Sequence, residues 1–158
     1  MIEQLKQDTY NFNRIAGTDV ETSYQSFCQQ YKVLYEEVKE VGDGIDSRDL
    51  TEVVDGVIDT LVVALGMLQK LENLGVDMGK VAELIGQNNL SKYPSLRDDS
   101  VVQATIDKYK AQGIEVAVKK DIPNHCYVFR NKDTGKILKP YGFESVDISS
   151  CIPQGVQI

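Results

Sequence analysis

Three short stretches carry residue types that can do metal-assisted chemistry. They are Glu36-Glu37-Val38-Lys39-Glu40, Asp55-Gly56-Val57-Ile58-Asp59, and Asn88-Asn89-Leu90-Ser91-Lys92 with Tyr93 after it. At helical pitch Glu36 lies about 40° and Glu37 about 60° from Glu40, so the three carboxylates flank one side of a helix. Glu52, Asp55 and Asp59 fall within about 60° of one another on the next helix. Asp55 and Asp59 sit inside the run DGVIDTLVVALGML, where dry surroundings are expected. A lone carboxylate there is costly or stays protonated. A divalent cation removes that difficulty, and Mg²⁺ (or Mn²⁺) suits hard oxygen ligands and shares phosphate oxygens. The plainer reading is that Glu36, Glu37, Glu40 and Glu52 are solvated charges at a bundle edge.

The third stretch adds a different clue. Val81, Leu84 and Ile85 begin an apolar stripe, and the next inward positions are Asn88, Asn89 and Lys92. Amides and an ammonium that prolong a core-facing line suit a polar cavity, where they could hold phosphate oxygens; a helix end at solvent is the plainer account. Tyr93 could stack on a base or simply pack. DGIDSRD lacks the calcium-loop spacing, and no GxxxxGK[ST], GxGxxG or HExxH pattern occurs. His125, the single histidine, has no nucleophile beside it in a known motif.

These residues need elements to hold them. Residues 2–16 read as a first helix closed by Gly17. Residues 24–41 form a second, with Phe27, Tyr31, Leu34, Val38 and Val41 as its apolar stripe and Gly42 and Gly44 as its end. Asp46 or Ser47 then caps a third helix over 48–73, the most apolar, which is expected to be the buried centre. Asp77 caps a fourth, to about Lys92, before Pro94. The fold class expected is an all-α four-helix bundle over 1–94 with a small β-rich C-terminal extension over 95–158. In that extension a short helix precedes the strand-like segments GIEVAVKK, HCYVFRN and GKILKP, the last two joined by the turn KDTG.

Charge and composition narrow the classes. The chain has 158 residues and a net charge of −7. Nine acids against Lys39 and Arg48 between Glu36 and Asp59 account for a net −7 by themselves, whereas eight basic and six acidic residues follow from Val101 onward. Such an acidic balance argues against a nucleic-acid partner. No apolar run approaches the ~20 residues of a membrane span, and MIEQLKQDTYNF does not read as a signal peptide. Cys28, Cys126 and Cys151 are odd in number and lack a CxxC pair, which fits a reducing, cytoplasmic setting.

Taken in order, the motifs resemble the EExxE-plus-acid signature of the all-α nucleoside triphosphate pyrophosphohydrolases. That group includes MazG-like proteins, dimeric dUTPases and phosphoribosyl-ATP pyrophosphohydrolase. Asn88-Asn89-Leu90-Ser91-Lys92 is similar to the SNMSK segment of small phage- and bacterium-type members, and GKILKPYGFESVDI to their C-terminal ending. The resemblance spans about residues 2–150. It implies Mg²⁺ held by Glu37, Glu40 and Asp59, with Glu36 close by. Many members carry Glu where this chain has Gly56, and Asp55 is expected to substitute. The implied reaction is (d)NTP to (d)NMP and diphosphate, with a purine nucleotide such as dGTP or dATP as the expected substrate. Glu36 would take the proton of the attacking water and Lys92 would stabilise the departing diphosphate. Asn88, Asn89, Lys92 and Tyr93 would hold the substrate. The resemblance also implies a homo-oligomer, a dimer of dimers. Phosphoribosyl-ATP pyrophosphohydrolase is one alternative. The other is a non-catalytic helical module with an acidic docking face, which expects Asp55 and Asp59 to be paired with Lys or Arg.

Overall fold

The computed structural model describes all residues, Met1–Ile158. They form two compact units, Met1–Met78 with Ser149–Ile158, and Gly79–Ile148. The chain is mostly helical with one small sheet, and the helices expected over 1–94 are divided between the two units.

The first unit holds α1 (Ile2–Ala16), α2 (Tyr24–Ser47) and α3 (Leu50–Asn73). Gly17 closes α1 in the left-handed conformation, as expected. The second helix runs two turns past its expected end. Gly42 and Gly44 stay helical, and Arg48, at φ 59°, closes α2 instead. Asp49, not Asp46 or Ser47, caps α3 by accepting from the Thr51 and Glu52 backbone N–H groups. The α2–α3 connection is therefore a two-residue reversal, and the helices run antiparallel.

Glycines set how closely they pack. A Cβ on Gly44 would stand 3.0 Å from the Val53 backbone nitrogen. One on Gly56 would meet Val41 Cγ2 at 3.0 Å and the Val41 nitrogen at 3.2 Å, and one on Gly66 would meet Gln30 Nε2 at 2.8 Å. Gln30 Nε2 also donates to the Val63 carbonyl. The face of α2 turned to α3 is thus Phe27, Gln30, Leu34, Glu37, Val41 and Gly44, the buried and half-buried positions. The expected stripe is corrected at two places: Tyr31 and Val38 are exposed. A helix stripe drawn from hydrophobicity alone took in apolar residues of a second face.

The first helix lies on α3 through polar contacts. Lys6 pairs with Glu72 at 2.9 Å, the Tyr10 hydroxyl donates to the same carboxylate, and Asn13 donates to Gln69. The buried apolar side chains of this unit are only Phe27 and Cys151. The third helix is accordingly not the dry centre expected of it. Leu50, Val54 and Val57 are exposed, Val54 by 56%.

The second unit contains nearly all of α4 (Met78–Leu90), then α5 (Ser100–Lys110) and the antiparallel strands β1 (Val116–Asp121) and β2 (Cys126–Asn131). Its core is Val101, Tyr127, Phe129 and Leu138. The third expected strand, GKILKP, makes only an isolated bridge, Arg130 with Ile137. The Tyr109 hydroxyl of α5 bonds both the Lys139 N–H and carbonyl, which draws the chain out of the ladder before Pro140.

Two substitutions test the α2–α3 spacing. Gly→Ala inside an exposed helix gains about 1 kcal/mol, and Gly86→Ala, with open space around it, is expected to stabilise by that amount. Gly56→Ala drives a methyl into the Val41 backbone. Overpacking costs about 1–3 kcal/mol, so this variant is expected to lose about 1 kcal/mol net in chemical denaturation. Equal gains from both would mean that the helices are not so tightly apposed.

Candidate functional site

The antiparallel pair brings carboxylates from both helices to one edge. Glu36, Glu37, Glu40 and Asp43 come from α2, and Glu52, Asp55 and Asp59 from α3. Glu40, Asp43, Glu52 and Asp55 line a cleft of about 390 Å³. Glu37 belongs to the face turned towards α3 and is partly buried; Glu36, Glu40 and Asp55 are exposed and Asp59 is half-buried. The Glu37 carboxyl is held above its ordinary pKa, first by burial and then by the charges of Glu40, Asp59, Glu36 and Asp55. All five acids of the first two motifs therefore share one electrostatic site. Asp43 and Glu52, which the motifs do not name, extend it by one turn on each helix; their spacing of three from Glu40 and Asp55 was the available signal.

One expectation is corrected. Asp55 does not lie in dry surroundings, because the single chain leaves that side of α3 open. For Glu37 the cost is burial first and the four neighbouring carboxylates after it. Little positive charge answers them. Lys39 pairs with Asp43, and neither Asp55 nor Asp59 enters any ion pair or side-chain hydrogen bond. The docking-module alternative expects them paired with Lys or Arg, and no such pair forms within the chain.

Gly56 also acquires a physical reason. Its missing Cβ is where the Val41 backbone and the Glu37 carbonyl approach, the latter at 3.6 Å. A glutamate there would force the helices apart, so the acid on this turn has to come from a neighbouring position. Asp55, one residue before it, lines the cleft with Glu40.

The donor set suits a hard divalent cation: oxygen ligands only, in excess of positive charge, on two rigid elements. No three acidic, His or Cys side chains stand close enough to hold an ion as they are. Mutual repulsion favours such splayed carboxylates. The residues therefore fit Mg²⁺ or Mn²⁺ in donor chemistry.

The third motif lies on α4 and just beyond it, in the second unit. Lys92 Nζ donates to Asn89 Oδ1 at 2.7 Å, and Asn88 Nδ2 donates to the Glu144 carbonyl at 2.8 Å. Asn88 and Lys92 are half-buried, while Asn89 is exposed. Tyr93 lines a cleft of about 540 Å³ with Asp121, Asn124 and Arg130. His125, at φ 52°, turns the chain between β1 and β2. All three cysteines are free, and no helix is long and apolar enough to cross a membrane.

The first unit is thus a helical hairpin with an acidic, cation-poor edge, supported by a third helix. No protein-family model, curated protein or solved structure matches the chain.

The raised Glu37 carboxyl has a sign that can be measured. An acid whose folded pKa lies above its unfolded value destabilises the fold as it ionises. Its effect is absent below the ordinary glutamate value of 4.5 and grows as pH rises through the raised one. Metal-free Glu37→Gln is therefore expected to melt above the unsubstituted protein at pH 7, with the gap closing near pH 4. An unchanged gap across that range would show that Glu37 is not under electrostatic strain.

Proposed function

We propose that the chain is a metal-dependent nucleotide pyrophosphohydrolase, converting a (d)NTP and water to the (d)NMP and diphosphate. The observation that carries this reading is the acidic edge itself: Glu36, Glu37, Glu40, Asp55 and Asp59 form one electrostatic site, and none of them forms a salt bridge. An edge of this kind repels a bare triphosphate and accepts one that arrives with divalent cations. Glu37, Glu40, Asp55 and Asp59 are the residues that would hold Mg²⁺ or Mn²⁺. When bound, such an ion neutralises phosphate charge and lowers the pKa of a bound water.

The chain's own groups divide the remaining work. Attack on the α-phosphorus needs a base for the proton of water, and Glu36, exposed beside Glu37 and Glu40, is assigned that role. Lys92, with Asn88, Asn89 and Tyr93, is assigned to the phosphates and ribose, on the strength of the sequence resemblance.

A second copy of the chain is part of the proposal. On α2, Tyr31, Tyr35 and Val38 lie on the opposite side from Glu36 and Glu40; on α3, Leu50, Val54 and Val57 lie opposite Glu52 and Asp59. Since the acids share one edge, these apolar stripes share the other. They are exposed, Tyr35 by 62%. So wide an apolar face on a unit with little apolar core suits a homo-oligomer, a dimer of dimers by the resemblance. Sedimentation at micromolar concentration is expected to show a dimer or tetramer, and Val54→Lys to shift it towards monomer. A monomer before substitution would refute the assembly.

Asp59→Asn tests the chemistry. It keeps shape and hydrogen-bonding capacity while removing one charge from the edge. Turnover of a dNTP panel with Mg²⁺ is expected to fall by orders of magnitude, since lost charge stabilisation costs several kcal/mol in the transition state. The Tm rise on adding Mg²⁺, which arises from binding to the native state alone, should fall as well. The metal-free fold should be unharmed or stabilised. A destabilised variant with unaltered turnover per folded molecule would instead make Asp59 a structural residue.

A further inference from the structure

Outside the acidic edge, a cleft of about 320 Å³ lies among α1, α2 and α3, at the low end of small-molecule sites. We propose that it is a nucleobase pocket in which the Lys70 ammonium selects bases with a keto oxygen at purine C6 or pyrimidine C4 (guanine, thymine, uracil) over those with an exocyclic amine at that position (adenine, cytosine). This deepens the pyrophosphohydrolase reading and rests on it for the direction of the phosphates.

The cleft lies one turn along α2 and α3 from the acids. Val33 lines it one turn before Glu36 and Glu37, and Val62 lines it one turn after Asp59. At 1.5 Å per residue, Gly66 is about 10 Å along α3 from Asp59. A base seated at the level of Gly66, against the Gln30 and Asn13 amides, leaves about that distance for a sugar and α-phosphate to span towards the carboxylates.

Lys70 is the unusual group in this cleft. It is 6% exposed, and no carboxylate pairs with it. It donates to the Glu21 carbonyl at 3.0 Å and, at 3.5 Å, to the Thr18 carbonyl. An ammonium has three hydrogens, so at least one lacks a strong acceptor, and its charge faces dipoles alone. Lysine is rarely buried without an anion, which makes the site receptive to an acceptor brought by a ligand. The ammonium donates and never accepts. A keto oxygen satisfies it, whereas an exocyclic amine sets donor against donor and leaves the charge unanswered. Gly66 completes the fit, because its missing Cβ makes room for the Gln30 and Asn13 amides, which would otherwise be met at 2.8 and 3.3 Å. Phe12, 68% exposed at the cleft, offers a ring for stacking.

The test has two arms, both on the full chain. In the first, metal-free protein is titrated with dGMP, dTMP, dAMP and dCMP and followed by NMR. The keto nucleotides are expected to bind at least tenfold more tightly, with shifts at Gln30, Gly66 and Lys70. Lys70→Gln, which can still donate to the Glu21 carbonyl but now also offers an acceptor, should bring the four within about twofold. Lys70→Met provides a second variant, accepted only if its Tm is within a few degrees of the unsubstituted protein. Equal affinity for all four nucleotides would point to phosphate capture by Lys70 and overturn the proposal, as would no binding at all. In the second arm, kcat/KM is measured for the matching dNTPs with Mg²⁺. Keto-selective binding without hydrolysis would keep the pocket and remove the catalytic reading. Hydrolysis without keto preference would do the reverse.

Discussion

The close approach of α2 and α3 is the constraint on which the first unit depends. Three glycines, at 44, 56 and 66, sit where a Cβ would meet the facing helix within about 3 Å. This spacing turns a helical hairpin into a platform, since carboxylates on either helix then reach over the same cleft. It also explains why position 56 carries no side chain: a Cβ there would meet Val41 at 3.0 Å. The register that pairs Gly56 with Val41 sets Asp59 near Glu37 and Glu52 near Asp43, so the acids converge in two tiers.

Convergence of like charge opposes folding, and the chain does little to relieve it. Glu37 feels burial and four neighbouring carboxylates at once. Few structural reasons exist for keeping such a group on the face between two helices, where a leucine would pack better. A ligand that carries positive charge is the simple resolution. On α3, Lys70 is the mirror image, a buried cation with no anion. One helix thus holds unanswered charge of both signs, about 16 Å apart along its axis. That is a polarity suited to a ligand with a metal-bearing anionic end and an acceptor-bearing flat end.

The second unit is built on ordinary terms. Tyr127 and Phe129 alternate into a core shared with α5, and Thr105, fully buried, donates to the Val101 carbonyl and accepts from the Tyr141 N–H. Its apolar packing contrasts with the first unit, where apolar side chains face outward and polar ones such as Gln69 and Lys70 are buried. That inversion is the strongest physical reason to think of the first unit as part of a larger assembly.

Much was legible in the sequence because it depends on local rules. Helix positions follow from periodicity and from Gly17, which terminates α1 through its own backbone freedom, whereas the cap of α3, expected at Asp46 or Ser47, lies at Asp49. The two acid clusters follow from residue type and spacing alone. What the sequence misled about depends on partners distant in the chain. Gly42 and Gly44 look like a helix end, but Gly44 is a contact point, and only the facing Val53 decides that. Tyr31 and Val38 look like core, yet α3 packs on the neighbouring stripe, and hydrophobicity cannot say which of two apolar faces an adjacent helix will take. Lys70 is hidden in an apolar run, and its burial against the Thr18 and Glu21 carbonyls exists only once α1 and its following loop fold back on α3. Local structure is written in adjacent residues, while burial, pairing and unanswered charge are properties of what comes to lie opposite.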